Sequence, residues 1–342
     1  MSKPLIKIFR GKLIENIYRG DIAVVNQNGN LLYSIGNPQK VTYWRSAAKP
    51  IQVFPVIYSG ASRKYRFTEE EIAILASSHN GEEKHIKLVY DVLKKIKIDE
   101  KYLQCGICPP VYKPKTNALR KAKIKLSPVY NPCSGKHTAM LTLCQFFGWS
   151  IKDYYRIDHP VQQMILEDIS SMCQYPKEKI YIGVDDCGVP VFGLPIEYMS
   201  NAYARIANWE ILNKKYKKIA KKVFLSMVRN PYIIGGTDRF DTDLMKVANG
   251  NLLAKSGADG VFCIGIRKEG THLGMGITTK IESGNIKFLP MAVIQVLKQL
   301  KILSETQLNK LNKYIPEGIN NLRCEKVGHF VSDFELKEYK EK

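Results

Sequence analysis

The chain has 342 residues, 45% of them hydrophobic and 25% charged, a composition that excludes a disordered or collagen-like polypeptide. Its 52 lysines and arginines outnumber 32 acidic residues, for a net charge of +20. Most of the excess is lysine spread along the chain, not arginine gathered with aromatic residues. The charge therefore reads as solubility and non-specific attraction, and no nucleic-acid partner is expected.

The opening MSKPLIKIFRGKL has no apolar leader segment, and nowhere do 18 apolar residues run together. A cytoplasmic protein without a membrane partner is expected, its eight cysteines held as reduced thiols. IAVVNQNGNLLYSIG (22–36) sets two apolar runs about Asn-Gly, a hairpin signal. YWRSAAKPIQVFPVI (43–57) predicts a helix starting at Ser46, with Pro50 tolerable only in its first turn. TEEEIAILASS (68–78) has Thr68 and, three residues on, Glu71, the pattern of a capping box.

After the loop SHNG, residues 82–96 read as an amphipathic helix. The proline-rich stretch 105–132 predicts irregular chain, and NPCSGKHTAMLTLCQFFGW after it a buried helix in its second half. Helices are expected over 159–173, 196–208 and 211–229, and strand, acidic turn, strand over 179–196. From 251 the pattern changes to strands, NLLAKSG, DGVFCIGI and LGMGITTKI, with turns at Gly-Ala-Asp-Gly and Lys-Glu-Gly. A helix over 288–302 and a strand within 327–336 complete the chain. Strands at both ends with helices between predict an α+β fold, its antiparallel sheet assembled from both termini. With no linker, low-complexity segment or repeat, one domain over 1–342 is expected.

Three short motifs carry chemistry: S-x-x-K at Ser46–Lys49, S-x-N at Ser78-His79-Asn80, and K-S-G at Lys255-Ser256-Gly257. In this order, on a helix start, a post-helix loop and a strand, they match the pattern of penicillin-binding proteins and serine β-lactamases. A serine hydroxyl needs a base, and a lysine serves only when burial or a second cation brings its pKa toward neutrality. The apolar run after Lys49 supplies burial, and Lys255 the second cation. The competing reading of Ser46–Lys49 is a helix cap beside a solvated lysine.

Cys133 and Lys136 lie one helical turn apart, and Cys187 lies in a turn between strands. Two thiolates and a further donor make an open zinc site, while a buried cysteine without a ligand is core filler. Cys105 and Cys108 form a C-x-x-C with no matching second pair, which reads as structural.

WRSAAKPIQ, ASSHNGEEKH, NPCSGKHTAML, GVDDCGVPVFGLP, GGTDRFDTDLM and KSGADGVFCIGI occur in order, and the resemblance spans about residues 8–335. Together they resemble the asparaginase II family of zinc-associated, serine-type L-asparaginases. The resemblance implies a serine β-lactamase/transpeptidase-like fold, hydrolysis of L-asparagine to L-aspartate and ammonia, and a homodimer. It implies two Ser–Lys pairs, Ser46 with Lys49 and Ser78 with Lys255, with Ser46 as nucleophile. It further implies one zinc per chain on Cys133, Lys136 and Cys187, assisting substrate binding beside Asp185 and Arg45. Where certain members carry a cysteine, this chain has Asp241, expected to alter substrate affinity without touching the catalytic positions.

Two alternatives keep the chemistry and change the substrate, to glutamine or to a β-lactam. One methylene alters pocket binding by only about 1–3 kcal/mol, so glutamine stays open. An alternative of another class is a non-catalytic basic binding protein.

Overall fold

The computed structural model describes residues 1–268 and 274–339. Its strands in chain order are β1 (Lys3–Arg10), β2 (Leu13–Asn26), β3 (Leu31–Ile35), β4 (Val41–Tyr43), β5 (Tyr181–Val184) and β6 (Pro190–Pro195). They continue with β7 (Leu252–Gly257), β8 (Val261–Ile266), β9 (Met275–Ile281), β10 (Ile319–Asn320), β11 (Lys326–Val331) and β12 (Lys337–Glu338). The main sheet runs β10-β11-β1-β2-β9-β8-β7, with β3 also on β2 and β12 on β3, while β4-β6-β5 form a small second sheet. All described pairings are antiparallel, so the fold is mixed α+β.

β2 is long enough, at 14 residues, to serve two sets of partners. Its first half pairs with β1, and its second with β9 and β3. Strands β8 and β9 are buried at every position, as a sheet covered on both faces requires. The helix Ile196–Ala207 packs on β9, β8 and β2, and Leu289–Gln299 on β9, β1 and β8. Close seating of the first helix needs glycine: a Cβ on Gly276 would enter the Ser200 carbonyl oxygen. Among the described residues no helix is long and apolar enough to cross a membrane.

The remaining helices pack together beside the sheet, with Glu69–Leu75 touching Glu83–Ile96, Ser134–Phe147 and Lys214–Val228. Gly135 makes one of these contacts possible, since a Cβ there would run into the Ile74 carbonyl oxygen. Thr68 and Glu71 form the expected capping box: Glu71 N–H donates to Thr68 Oγ1 at 3.2 Å, and Thr68 N–H to the Glu71 carboxylate at 2.7 Å.

Several expectations need correction. The helix expected from Ser46 is three pieces: a 3-10 turn Arg45–Ala48, then Lys49–Gln52, then Phe54–Tyr58. Pro50 and Pro55 lack an N–H to continue a ladder, so each opens a new piece. Residues 105–132 contain the helix Lys113–Lys121; only its Leu119 is buried, so no apolar stripe announces it. The NPCSGKH helix is longer than expected, running Ser134–Phe147. β1 and the first half of β2 were not foreseen, and register shifts after Pro4 and Ile8 interrupt their alternation. The Lys-Glu-Gly turn falls mostly outside the described residues.

Candidate active site

The 3-10 turn Arg45–Ala48 is pinned from both sides. Trp44 N–H donates to Phe192 O at 2.8 Å, and its buried indole N–H donates to Cys263 Sγ at 3.2 Å. The Tyr203 hydroxyl donates to Ala47 O at 2.7 Å. Arg45 adopts a left-handed φ of 53°, which costs a non-glycine residue about 1–2 kcal/mol. Three carboxylates hold it there: Asp185 at 3.0 Å, Asp186 at 2.6 Å, and Asp259 in close contact. The next residue, Ser46, lines two cavities at once.

Lys49 is wholly buried, and burial lowers its pKa despite the nearby Cys133. Its Nζ lies 2.8 Å from Ser78 Oγ, 2.7 Å from Ser77 O and 3.3 Å from Pro132 O. Ser78 follows the helix Glu69–Leu75, and its N–H donates to Ile234 O at 2.9 Å. The neighbouring His79 is buried and kept neutral by desolvation. Its Nδ1 accepts from Gly81 N–H at 3.1 Å, which leaves Nε2 to donate to Ser134 Oγ at 2.8 Å. His79 thus ties the S-x-N loop to the helix that carries Lys136.

Lys255, on the edge strand β7, is also wholly buried. Burial brings its pKa down to about 7, with Asp241 opposing and Lys49 and Arg239 assisting. Its Nζ donates to Ser256 O at 2.8 Å and stands 3.7 Å from Asp241 Oδ2. The hydrogen bond to Ser78 therefore comes from Lys49, where the family resemblance implied a pairing of Ser78 with Lys255. Asp241 departs from expectation too, because its carboxylate is the counter-ion of Lys255 and so touches a candidate catalytic position. It accepts from Ser256 N–H at 3.0 Å and from Ser256 Oγ at 2.5 Å. Although burial opposes its ionisation, Arg239 and Lys255 hold its pKa at about 2.

On the other side of Ser46, the sulfur atoms of Cys133 and Cys187 and a carboxylate oxygen of Asp185 lie within 4.8 Å of one another. This set includes Asp185, which the sequence reading had placed only beside the metal. Lys136 Nζ lies 3.0 Å from Cys187 Sγ and 3.1 Å from Asp185 Oδ2. Burial opposes its charge, but Cys133, Cys187 and Asp185 together raise its pKa. Asp185 is correspondingly held at about 2, where Lys136 and Arg45 outweigh burial. Two sulfur donors and a carboxylate in a half-buried cluster fit a divalent ion of the zinc type. Cys105 and Cys108 line the same cavity, of about 430 Å³, as Cys133 and Cys187. Cys105 is buried, donates to Pro128 O at 3.4 Å, and is pushed up to about 12 by burial.

The second cavity, about 380 Å³, lies between the two serines and β7. Arg239 and Ser256 line it, residues that sequence reasoning quoted within motifs without giving them a role. Arg239 donates to Asn80 Oδ1 at 3.0 Å, Ser78 O at 3.4 Å and Ser256 Oγ at 3.3 Å. Their only advance signal is sequence proximity to Asp241 and Lys255.

A family model described as L-asparaginase II matches residues 6–332, nearly the whole chain. The chain belongs to the L-asparaginase II family. No curated protein matches the sequence. Among solved structures, a Bacillus glutaminase crystallised in 4.3 M NaCl is similar at 11% identity and a TM-score of 0.39, covering 83% of this chain and 91% of that one. A likeness at that level carries no argument here. In this L-asparaginase II family member Ser46 lines both the cavity that holds Ser78 and the cavity that holds the Cys-Asp-Cys cluster. Lys49, Ser78, Lys255 and Cys187 are buried, while Cys133 and Asp185 are half-buried.

Proposed function

We propose that this chain is an L-asparagine amidohydrolase acting through an acyl-enzyme on Ser46. The observation that carries the reading is the buried Lys49 Nζ, 2.8 Å from the Oγ of Ser78, which lines the same cavity as Ser46. In its neutral form Lys49 has two N–H donors and one lone pair. Ser77 O and Pro132 O take the two hydrogens, and the lone pair is left for the Ser78 hydroxyl. Ser78 then relays to Lys49 the proton that Ser46 gives up as its Oγ attacks the side-chain amide carbon of asparagine. The tetrahedral intermediate collapses with cleavage of the C–N bond, and the same proton leaves with ammonia. Water attacks the β-aspartyl ester, returns a proton to Ser46 Oγ, and releases L-aspartate. Lys255, with its pKa near 7, supports the second proton transfer in its neutral form.

Cys133, Cys187 and Asp185 would hold a zinc ion, with Lys136 as a further donor once deprotonated. Bound there, zinc would supply a positive charge that orders the pocket on that side of Ser46. The Arg45–Asp185 and Lys136–Asp185 ion pairs hold the Asp185 carboxylate in the cluster. A serine β-lactamase/transpeptidase-like fold and a homodimer belong to the same proposal, and sedimentation reads the latter.

A second reading follows from the Lys49–Ser78 hydrogen bond itself: Ser78 is the nucleophile and Ser46 the assisting hydroxyl. Ammonia release from L-asparagine and L-glutamine, with Ser46→Ala and Ser78→Ala compared with wild type, tests both. The proposal expects release from asparagine that falls at least about 10³-fold in Ser46→Ala. Near-full activity in Ser46→Ala with none in Ser78→Ala moves the nucleophile to Ser78. No release from either amide by the folded, zinc-supplied protein refutes the amidohydrolase.

A further inference from the structure

Ser46 stands between two cavities of opposite character. On the metal-cluster side the charged lining is Arg45, Asp185 and Asp186. Arg45 faces three carboxylates, two of them largely exposed at 91% and 65%, so its charge is more than matched. A substrate carboxylate approaching Arg45 would meet all three. This bears on the expectation that Arg45 binds substrate: the structure gives its guanidinium another occupation.

The cavity against β7 is walled by apolar groups such as Phe240, Phe262 and Leu289, and its charged lining residues among those described are Arg239 and Asp241. Asp241 is 1% exposed and engaged with Ser256 and Lys255, whereas Arg239 is 25% exposed. Arg239 has five N–H donors, of which three hydrogen-bond to Ser78 O, Asn80 Oδ1 and Ser256 Oγ. Its Nε sits 3.7 Å from Asp241 Oδ1, an ion pair without a hydrogen bond, so donors remain for a ligand. The residues holding it are those of the candidate site, which fixes its planar fork beside Ser78 and Ser256, in the cavity that Ser46 also lines. A fixed guanidinium in an apolar cavity is a carboxylate receptor, since charge-assisted bonds strengthen where water is excluded.

We propose that Arg239 is the anchor for the α-carboxylate of the substrate, an inference that rests on reading the site as an amino-acid amidohydrolase. The test compares L-asparagine with 3-aminopropanamide, the same amide without the α-carboxylate, in wild type, Arg239→Gln, Arg239→Lys and Arg45→Gln. Wild type should prefer asparagine. Arg239→Gln should lower kcat/KM for asparagine about 10–100-fold more than for the smaller amide, with the extra loss mostly in KM. Arg239→Lys should recover part of the preference.

An equal fall for both amides in Arg239→Gln makes the residue merely structural and overturns the proposal. Collapse of the preference in Arg45→Gln alone does the same. If wild type hydrolyses neither amide, the amidohydrolase reading fails, and the anchor is then judged by binding. L-aspartate raising the melting temperature of wild type but not of Arg239→Gln supports the anchor; equal shifts, or none, overturn it.

Discussion

Replacing Asp241 by asparagine removes a negative charge 3.7 Å from Lys255 Nζ while keeping side-chain size and the acceptor for Ser256 N–H. At that distance the attraction lost is about 1 kcal/mol in a water-like medium and about 4–5 kcal/mol at an effective dielectric of about 20. One pKa unit is about 1.4 kcal/mol, so the Lys255 pKa should drop by roughly 1–3 units. Besides Asp241, Arg239 and any charge on Lys49 press the Lys255 pKa down, and Cys133 pulls it up. Removing the carboxylate takes away the leading upward influence, so the direction is downward. Wild type has Lys255 at about 7, with burial as the leading cause.

If the neutral amine is the working form, kcat/KM for ammonia release should fall below about pH 7 in wild type. In Asp241→Asn that acid limb should move to about pH 4–6. Stability carries the same sign. Between about 7 and the ordinary value of 10.5 the unfolded chain binds the lysine proton and the folded one does not, so this group makes wild type more stable as pH rises through that window. In the variant the window should open at lower pH. An acid limb that stays near 7 in an active Asp241→Asn enzyme refutes Lys255 as the titrating group.

Three further outcomes are expected. Cys187→Ser should lower zinc content, measured on protein purified from zinc-supplemented growth, from near one per chain toward zero; full zinc retention would remove Cys187 from the ligand set. Gly135→Ala should lower the urea midpoint by the equivalent of about 1–3 kcal/mol, because the new Cβ meets the Ile74 carbonyl and moves Cys133 and Lys136 with their helix; an unchanged midpoint would show that the contact gives way freely. Thr68→Ala should cost about 1 kcal/mol in the same measurement, through loss of the Glu71 cap, and a change near zero would show water replacing the hydroxyl.

Local rules made part of this protein legible in its sequence. The Asn-Gly hairpin, the Thr68 capping box and the apolar strands after 251 depend on residues near one another in the chain, so pattern alone discloses them. The helix Lys113–Lys121 escaped because it buries one residue, and β1 escaped because proline and register shifts break its alternation. The candidate site shows the same division. Ser46, Lys49, Ser78 and Lys255 were nominated by short spacings, and Cys133, Lys136 and Cys187 by the blocks around them. Which lysine meets which serine was not in those spacings.

Residue types and local order by themselves determined that the chain carries serines beside lysines and cysteines beside acids, on a helix start, loops and a strand. Only the tertiary structure decided that Lys49 reaches Ser78 across 29 positions, that Asp241 faces Lys255, and that Arg45 is matched by three carboxylates. The physical reason is that hydrogen bonds and ion pairs act over a few ångströms of space, whatever the separation along the chain. Burial by the assembled helices and sheet then decides which of those charges persist.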